Sequence, residues 1–296
     1  MGDYFFTEVQ EFTLEGFPSV QHLGKVLFLV HLLAYLASIM GNILIITITW
    51  ADHHLQTPMY FFLSSFSFFE CWRQSISFAA CFTQAFVFLF LGTTVFFLMA
   101  VLSLDRYLAI CKPLYYPTIM NPRMCFLLVT ACLALGFNLM VVPVIMLSQS
   151  SFCGPHVIPH FFCDFEPLIH LSCSDTRSTE MLAFVLALII LLTSLIITII
   201  AYSNIVVTIM RLPSAKEQQK AFSTCSSHLI VLSLMYGSCV FIYVKPKQRN
   251  RLDSNREAAL VNTVVTPLLN PIIYTLRNKQ VHQALRDALF RIRLQK

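Results

Sequence analysis

Leu104-Asp105-Arg106-Tyr107-Leu108-Ala109-Ile110-Cys111 places a charged pair at the end of an apolar run that begins near Ile76. An isolated Arg in hydrocarbon costs several kcal/mol, so such a residue needs a partner or a watery exit. Asp105 is the adjacent partner, and the end of a membrane span is the exit. The pair alone is also compatible with an ordinary interfacial ion pair, and its meaning depends on what surrounds it.

The surroundings belong to a membrane protein. Of 296 residues 57% are apolar and only 12% charged, whereas a soluble domain carries about 25% charged residues. The 27 Phe and 10 Tyr exclude a solvated disordered chain. Apolar runs long enough for helices fall at Val26 to Trp50, Pro58 to Trp72, Ile76 to Ile110, Met124 to Leu147, Glu180 to Met210, Phe222 to Val244 and Glu257 to Leu276. The expected fold is an all-α membrane protein, a single seven-transmembrane helix bundle. Residues 1–25 form the N-terminal segment, 26–276 the bundle and 277–296 the tail. In that tail Val281, Leu285, Leu289 and Ile292 alternate with basic residues, which suits a short amphipathic helix on membrane lipid.

Charge orients the bundle. The tail carries Arg277, Lys279, Arg286, Arg291, Arg293 and Lys296 against Asp287, whereas the N-terminal segment carries Asp3, Glu8, Glu11 and Glu15 against Lys25. Basic residues prefer the cytoplasmic side, so the C-terminus is cytoplasmic and the N-terminus extracellular, in a multi-pass protein of the plasma membrane. Lys112, Arg123 and the loop Arg211 to Lys220 agree; the basic loop Lys245 to Arg256 opposes the assignment, is outvoted, and has no explanation in the sequence. No cleavable signal peptide, myristoylation signal or Asn-x-Ser/Thr sequon is evident. A net charge of +5 does not call for nucleic acid.

Further motifs sit at compatible places along the chain: Gly41-Asn42 in the first span, Pro58-Met59-Tyr60-Phe61-Phe62-Leu63-Ser64 opening the second, Lys220-Ala221-Phe222-Ser223-Thr224-Cys225-Ser226-Ser227-His228-Leu229 opening the sixth, and Pro267-Leu268-Leu269-Asn270-Pro271-Ile272-Ile273-Tyr274 closing the seventh. Together with the Asp105-Arg106-Tyr107 stretch they resemble the olfactory receptors, a family of rhodopsin-like G-protein-coupled receptors. The likeness covers nearly the whole chain.

What the resemblance implies is specific. Arg106, Tyr202 and Tyr274 rearrange on activation as the sixth helix swings outward, with Asp105, Tyr107, His228, Asn270 and Pro271 part of the coupling machinery and a stimulatory, olfactory-type heterotrimeric G protein as partner. Independently of the family, Asn270-Pro271 removes a backbone donor and should kink the seventh helix. Tyr202 and Tyr274 also suit plain interfacial anchoring. The ligand is a small-molecule odorant, and binding raises cyclic AMP. No cofactor is implied.

Ten cysteines divide by depth. Cys81, Cys153, Cys163 and Cys173 fall on the extracellular side, where disulfides form, and four cysteines leave three pairings open. The resemblance selects Cys81 with Cys163 and Cys153 with Cys173. His156, His160 and Cys163 do not make a metal site, since Pro155 and Pro159 disfavour a helix that would align the two histidines.

Ligand-facing candidates come from helical spacing below Cys81: Phe88, Leu89, Gly92 and Thr93, with Leu186 and Ile190 on the fifth span and Tyr236, Val240 and Tyr243 on the sixth. Each also suits ordinary helix packing. No acid lies between Cys81 and Asp105, so an apolar organic ligand fits better than an amine. Gly is only 8 of 296 residues, and no nucleophile-base-acid set or phosphate loop appears. An enzyme is not expected; His228 beside Ser226 and Ser227 belongs to a motif. A transporter or channel would show internal repeats, and none is seen.

Two departures from the family's pattern stand out. Val95 occupies a position where an acid often helps hold sodium with the acid of the second helix, here Glu70, so a sodium site is doubtful. Only ten residues separate Glu70 from Cys81, a stretch usually longer. A helix from Pro58 to Trp72 spans about 22 Å against a hydrocarbon core of about 30 Å, so the second helix is shortened unless Arg73 to Ser77 continues it. The alternative function is therefore a receptor-fold protein that does not signal or is retained in the endoplasmic reticulum.

Overall fold

In a computed structural model the described residues are 11–14, 75–153, 156–160 and 162–244. They form β1 (Glu11–Leu14), β2 (Ser75–Ser77), α1 (Phe78–Cys111), α2 (Tyr116–Ile119), α3 (Pro122–Ser148), β3 (Val157–Ile158), α4 (Phe165–Leu171), α5 (Arg177–Met210) and α6 (Ala215–Val244). Among the described residues α1, α3 and α5 are long and apolar enough to cross a membrane, and α6 holds a shorter apolar stretch, His228–Gly237. These are the third, fourth, fifth and sixth expected spans. The first, second and seventh spans, the tail helix, Glu70, Asn270, Pro271 and Tyr274 lie outside the described residues.

Apolar side chains remain on the outside of these helices. Phe126, Leu127, Phe137, Met181, Phe184, Ile189 and Met210 are all exposed. Water would penalise such a surface, whereas lipid tails solvate it, and a helix pairs most of its backbone groups within itself.

Three local findings differ from the sequence expectation. Ser75–Ser77 is a strand rather than a continuation of the second helix or the start of the third, because its backbone pairs antiparallel with Glu11, Phe12 and Thr13. β1 also pairs in parallel with β3, giving a three-stranded sheet in the order β2-β1-β3 beside the helices of the described residues. The expected loop Arg211 to Lys220 is short, since α6 begins at Ala215, and Gln218 and Glu217 return backbone hydrogen bonds to Ser214.

The contacts divide the chain into two compact units. One draws on Met1–Leu23, Phe69–Phe96 and Cys132–Thr193, the other on Gly24–Phe68, Phe97–Ala131 and Ser194–Lys296. The core of the first unit gathers Phe12, Cys81, Phe82, Ala85, Val144, Leu147, Ile158, Cys163, Phe165, Leu168 and Ile169. α1 and α3 approach closely within it: a Cβ placed on Gly136 would lie 2.5 Å from Thr94 Oγ1 and 3.1 Å from the Phe90 carbonyl oxygen. Small residues allow helices this proximity in membranes, where dispersion contacts replace the hydrophobic drive between them.

Candidate functional site

The first unit holds the upper part of the expected ligand wall. Cys81 is disulfide-bonded to Cys163, with their Cα atoms 5.4 Å apart, and this bond joins the loop after α3 to the first turn of α1. One turn further along, Gln84 Oε1 accepts a hydrogen bond from the Cys163 backbone N–H at 3.1 Å. A turn below that, the Phe88 ring meets the Phe162 ring at 4.9 Å. The loop is thus fixed to α1 at three successive levels. Gln84 and Phe162 were not singled out by sequence reasoning, because only the disulfide register brings Phe162 over Phe88.

Below Phe88 the wall opens. A Cβ on Gly92 would meet nothing within 4 Å, whereas Thr93 beside it is buried. Leu89 packs against the core built on Phe12 and Cys81. Leu186 is half-buried and Ile190 buried on α5, in the same unit. Tyr236 is half-buried on α6 and belongs to the second unit; Val240 and Tyr243 lie on α6, with side chains outside the described residues.

A second disulfide, Cys153–Cys173, closes a shorter loop, with Cα atoms 5.8 Å apart. Phe152 and Ser172 form a bridge next to it, and the Cys173 N–H donates to the Ser151 carbonyl at 2.8 Å. Between the two disulfides Asp164 starts α4, its carboxylate accepting from the Phe165 N–H at 2.7 Å. Burial, with Glu166 nearby, pushes the Asp164 carboxyl up to about 6 despite that hydrogen bond.

The second unit holds the polar machinery. Arg106 clasps Asp105 Oδ2 through Nη2 at 2.6 Å and Nε at 3.0 Å, a fork-like charge-assisted contact. The other carboxylate oxygen is occupied: Tyr116 Oη donates to Asp105 Oδ1 at 2.9 Å. Burial and the neighbouring carboxylate push the Tyr116 phenol up to about 12, so it remains a donor. Tyr107 is half-buried on α1 beside the pair. Tyr202 on α5 and His228 on α6 meet at 2.6 Å between Oη and Nδ1, both buried, and Arg106 is near enough for its charge to act on each. Val95 is half-buried on α1 and brings no charge that could hold a cation.

Residues 31–292 match the family model described as olfactory receptor. The chain belongs to the olfactory receptor family. Olfactory receptor 6E1 of Mus musculus is 50% identical over 95% of this chain and 95% of its own length, and olfactory receptor 2AP1 of Homo sapiens is 48% identical over 95% and 96%. Among solved structures, squid rhodopsin matches with a TM-score of 0.66 at 19% identity, covering 86% of this chain and 77% of its own, which shows the fold. An olfactory receptor is a multi-pass membrane protein of the rhodopsin-like seven-helix class and not an enzyme.

Proposed function

We propose that this olfactory receptor binds small, largely apolar odorants in the extracellular half of the bundle and activates a stimulatory G protein that raises cyclic AMP. The observation that carries the ligand reading is the open space at Gly92. It lies one turn below the Phe88–Phe162 ring pair on a helix that has no acid between Cys81 and Asp105. Apolar walls with one or two hydroxyls, such as the neighbouring Thr93, suit volatile esters, ketones and aldehydes. The coupling reading rests on two polar links, Arg106–Asp105–Tyr116 and Tyr202–His228. A switch of this kind biases a two-state bundle, and a ligand shifts it only by its differential affinity for the two states.

The N-terminus is extracellular and the tail cytoplasmic in this reading, consistent with both disulfides lying on one side and with the basic tail. The experiment is a cyclic AMP assay in cells bearing the receptor at their surface, across a panel of medium-chain aldehydes, ketones and esters. A concentration-dependent response supports the reading; silence with verified surface expression refutes it.

One observation favours the second reading, a receptor that is retained inside the cell. Alignment to the mouse relative runs over 298 positions while using 95% of a 296-residue chain, so more than a dozen of those positions face gaps in this chain. The strand Ser75–Ser77 takes three further residues from the stretch between Glu70 and Cys81. Surface staining of an N-terminally tagged chain separates the two readings.

A further inference from the structure

We propose that β1 is a releasable strap across the ligand-facing half of the first unit, and that it governs how long an odorant stays there; the ligand clause rests on the function proposed above. β1 is the central strand of its sheet. On one side it pairs with β2, immediately before α1, and on the other with β3, in the loop that follows α3. The Thr13 N–H donates to the His156 carbonyl at 2.9 Å, and His156 adopts a left-handed backbone, φ 50°, uncommon for a residue other than glycine.

Phe12 is the anchor. It is fully buried, stacks on Phe78 at 5.9 Å and meets Phe152 and His156 edge-on at 5.7 Å and 6.2 Å. The core around it includes Cys81, Phe82 and Ala85 of α1, and Leu89 packs against that same core one turn above Gly92 and Thr93. The strap and the expected ligand wall therefore share one packed cluster. Loosening Phe12 loosens the packing of Leu89.

The rest of the first unit does not need β1 to stay together. Two disulfides tie the loop to α1 and to itself, and among the described residues neither involves β1. Glu11 and Thr13 are exposed and Leu14 is only half-buried, so one side chain carries most of the strand's hold. A short element with a single buried anchor sits at the low end of local stability and opens without global unfolding.

The test uses the full-length receptor in membranes. Phe12→Ala should raise hydrogen exchange at Ser75–Ser77 and Ile158 by about tenfold, and shorten by a similar factor the washout time of the cyclic AMP response to the most potent member of the odorant panel. A second variant covers the case in which Phe12→Ala does not reach the surface. Thr13→Cys with Ser75→Cys places cysteines at paired positions, and should cross-link where the displaced pair Glu11→Cys with Ser75→Cys does not. The locked strap should slow both onset and washout.

Unchanged exchange in Phe12→Ala, or no cross-link at the paired positions, overturns the strap. Raised exchange with unaltered washout overturns its link to the ligand. Exchange and cross-linking need no odorant, so a receptor silent to the whole panel removes the functional reading while the strap itself is still decided.

Discussion

Tyr116 donates its phenolic hydrogen to Asp105 Oδ1 while Arg106 occupies Oδ2, so one carboxylate ties a loop helix to the charged end of α1. Removing the hydroxyl leaves a partly buried carboxylate oxygen without its donor. Hydrogen bonds to charged groups contribute about 1.5–3 kcal/mol, and partial exposure lowers that to about 1 kcal/mol here. Tyr116→Phe should therefore free Arg106 more often and raise basal cyclic AMP about fivefold at unchanged surface level. Basal activity equal to wild type would show that the loop does not restrain the pair.

Gly136 and Gly92 make a paired test of packing against ligand space. Gly136→Ala forces a Cβ against Thr94 Oγ1 and the Phe90 carbonyl, and overpacking of this kind costs about 1–3 kcal/mol. Melting of the detergent-solubilised receptor should fall, and Thr94→Ala should restore part of the loss. Gly92→Ala enters open space, should leave melting unchanged, and should alter odorant potency instead.

The two disulfides should differ in cost. Cys81–Cys163 closes a separation of 82 residues and Cys153–Cys173 one of 20. The chain-entropy model gives the longer loop the larger effect, by about 1 kcal/mol. Cys81→Ser should reduce surface expression more than Cys153→Ser, and it also removes the anchor that brings Phe162 over Phe88.

Asp164 sets a pH dependence. Its carboxyl is raised in the folded protein from an ordinary 3.8 to about 6. The folded state thus favours the protonated acid, and that stabilisation is complete below about pH 4 and is lost as pH rises through 6, by about 3 kcal/mol. Melting followed from pH 4 to pH 7 should show this decline. Asp164→Asn keeps an acceptor for the Phe165 N–H and should flatten it.

Helices were readable from sequence because hydrocarbon demands long apolar runs. α1, α3 and α5 begin and end within a few residues of the runs that end at Ile110, Leu147 and Met210. The short elements were not readable. Glu11–Leu14 carries a single buried anchor, Phe12, and becomes a strand only because β2 and β3 present their edges to it. Tyr116 sits in a loop whose helix is four residues long, and its role arises from folding back onto Asp105 eleven positions earlier. Tyr202 and His228 lie 26 residues apart on different helices, so their hydrogen bond is a product of packing. Phe162 likewise acquires its place from the Cys81–Cys163 bond. Local patterns specify elements, whereas pairings between distant segments come from the folded arrangement.

Odorant-evoked cyclic AMP in wild type and Arg106→Ala at matched surface expression measures whether odorant occupancy in the extracellular half drives G-protein coupling through the Arg106 cluster. Wild type should give a concentration-dependent rise, and the variant should lose at least about tenfold in maximal response. An equal response in both, or none in wild type with the receptor at the surface, would contradict that coupling.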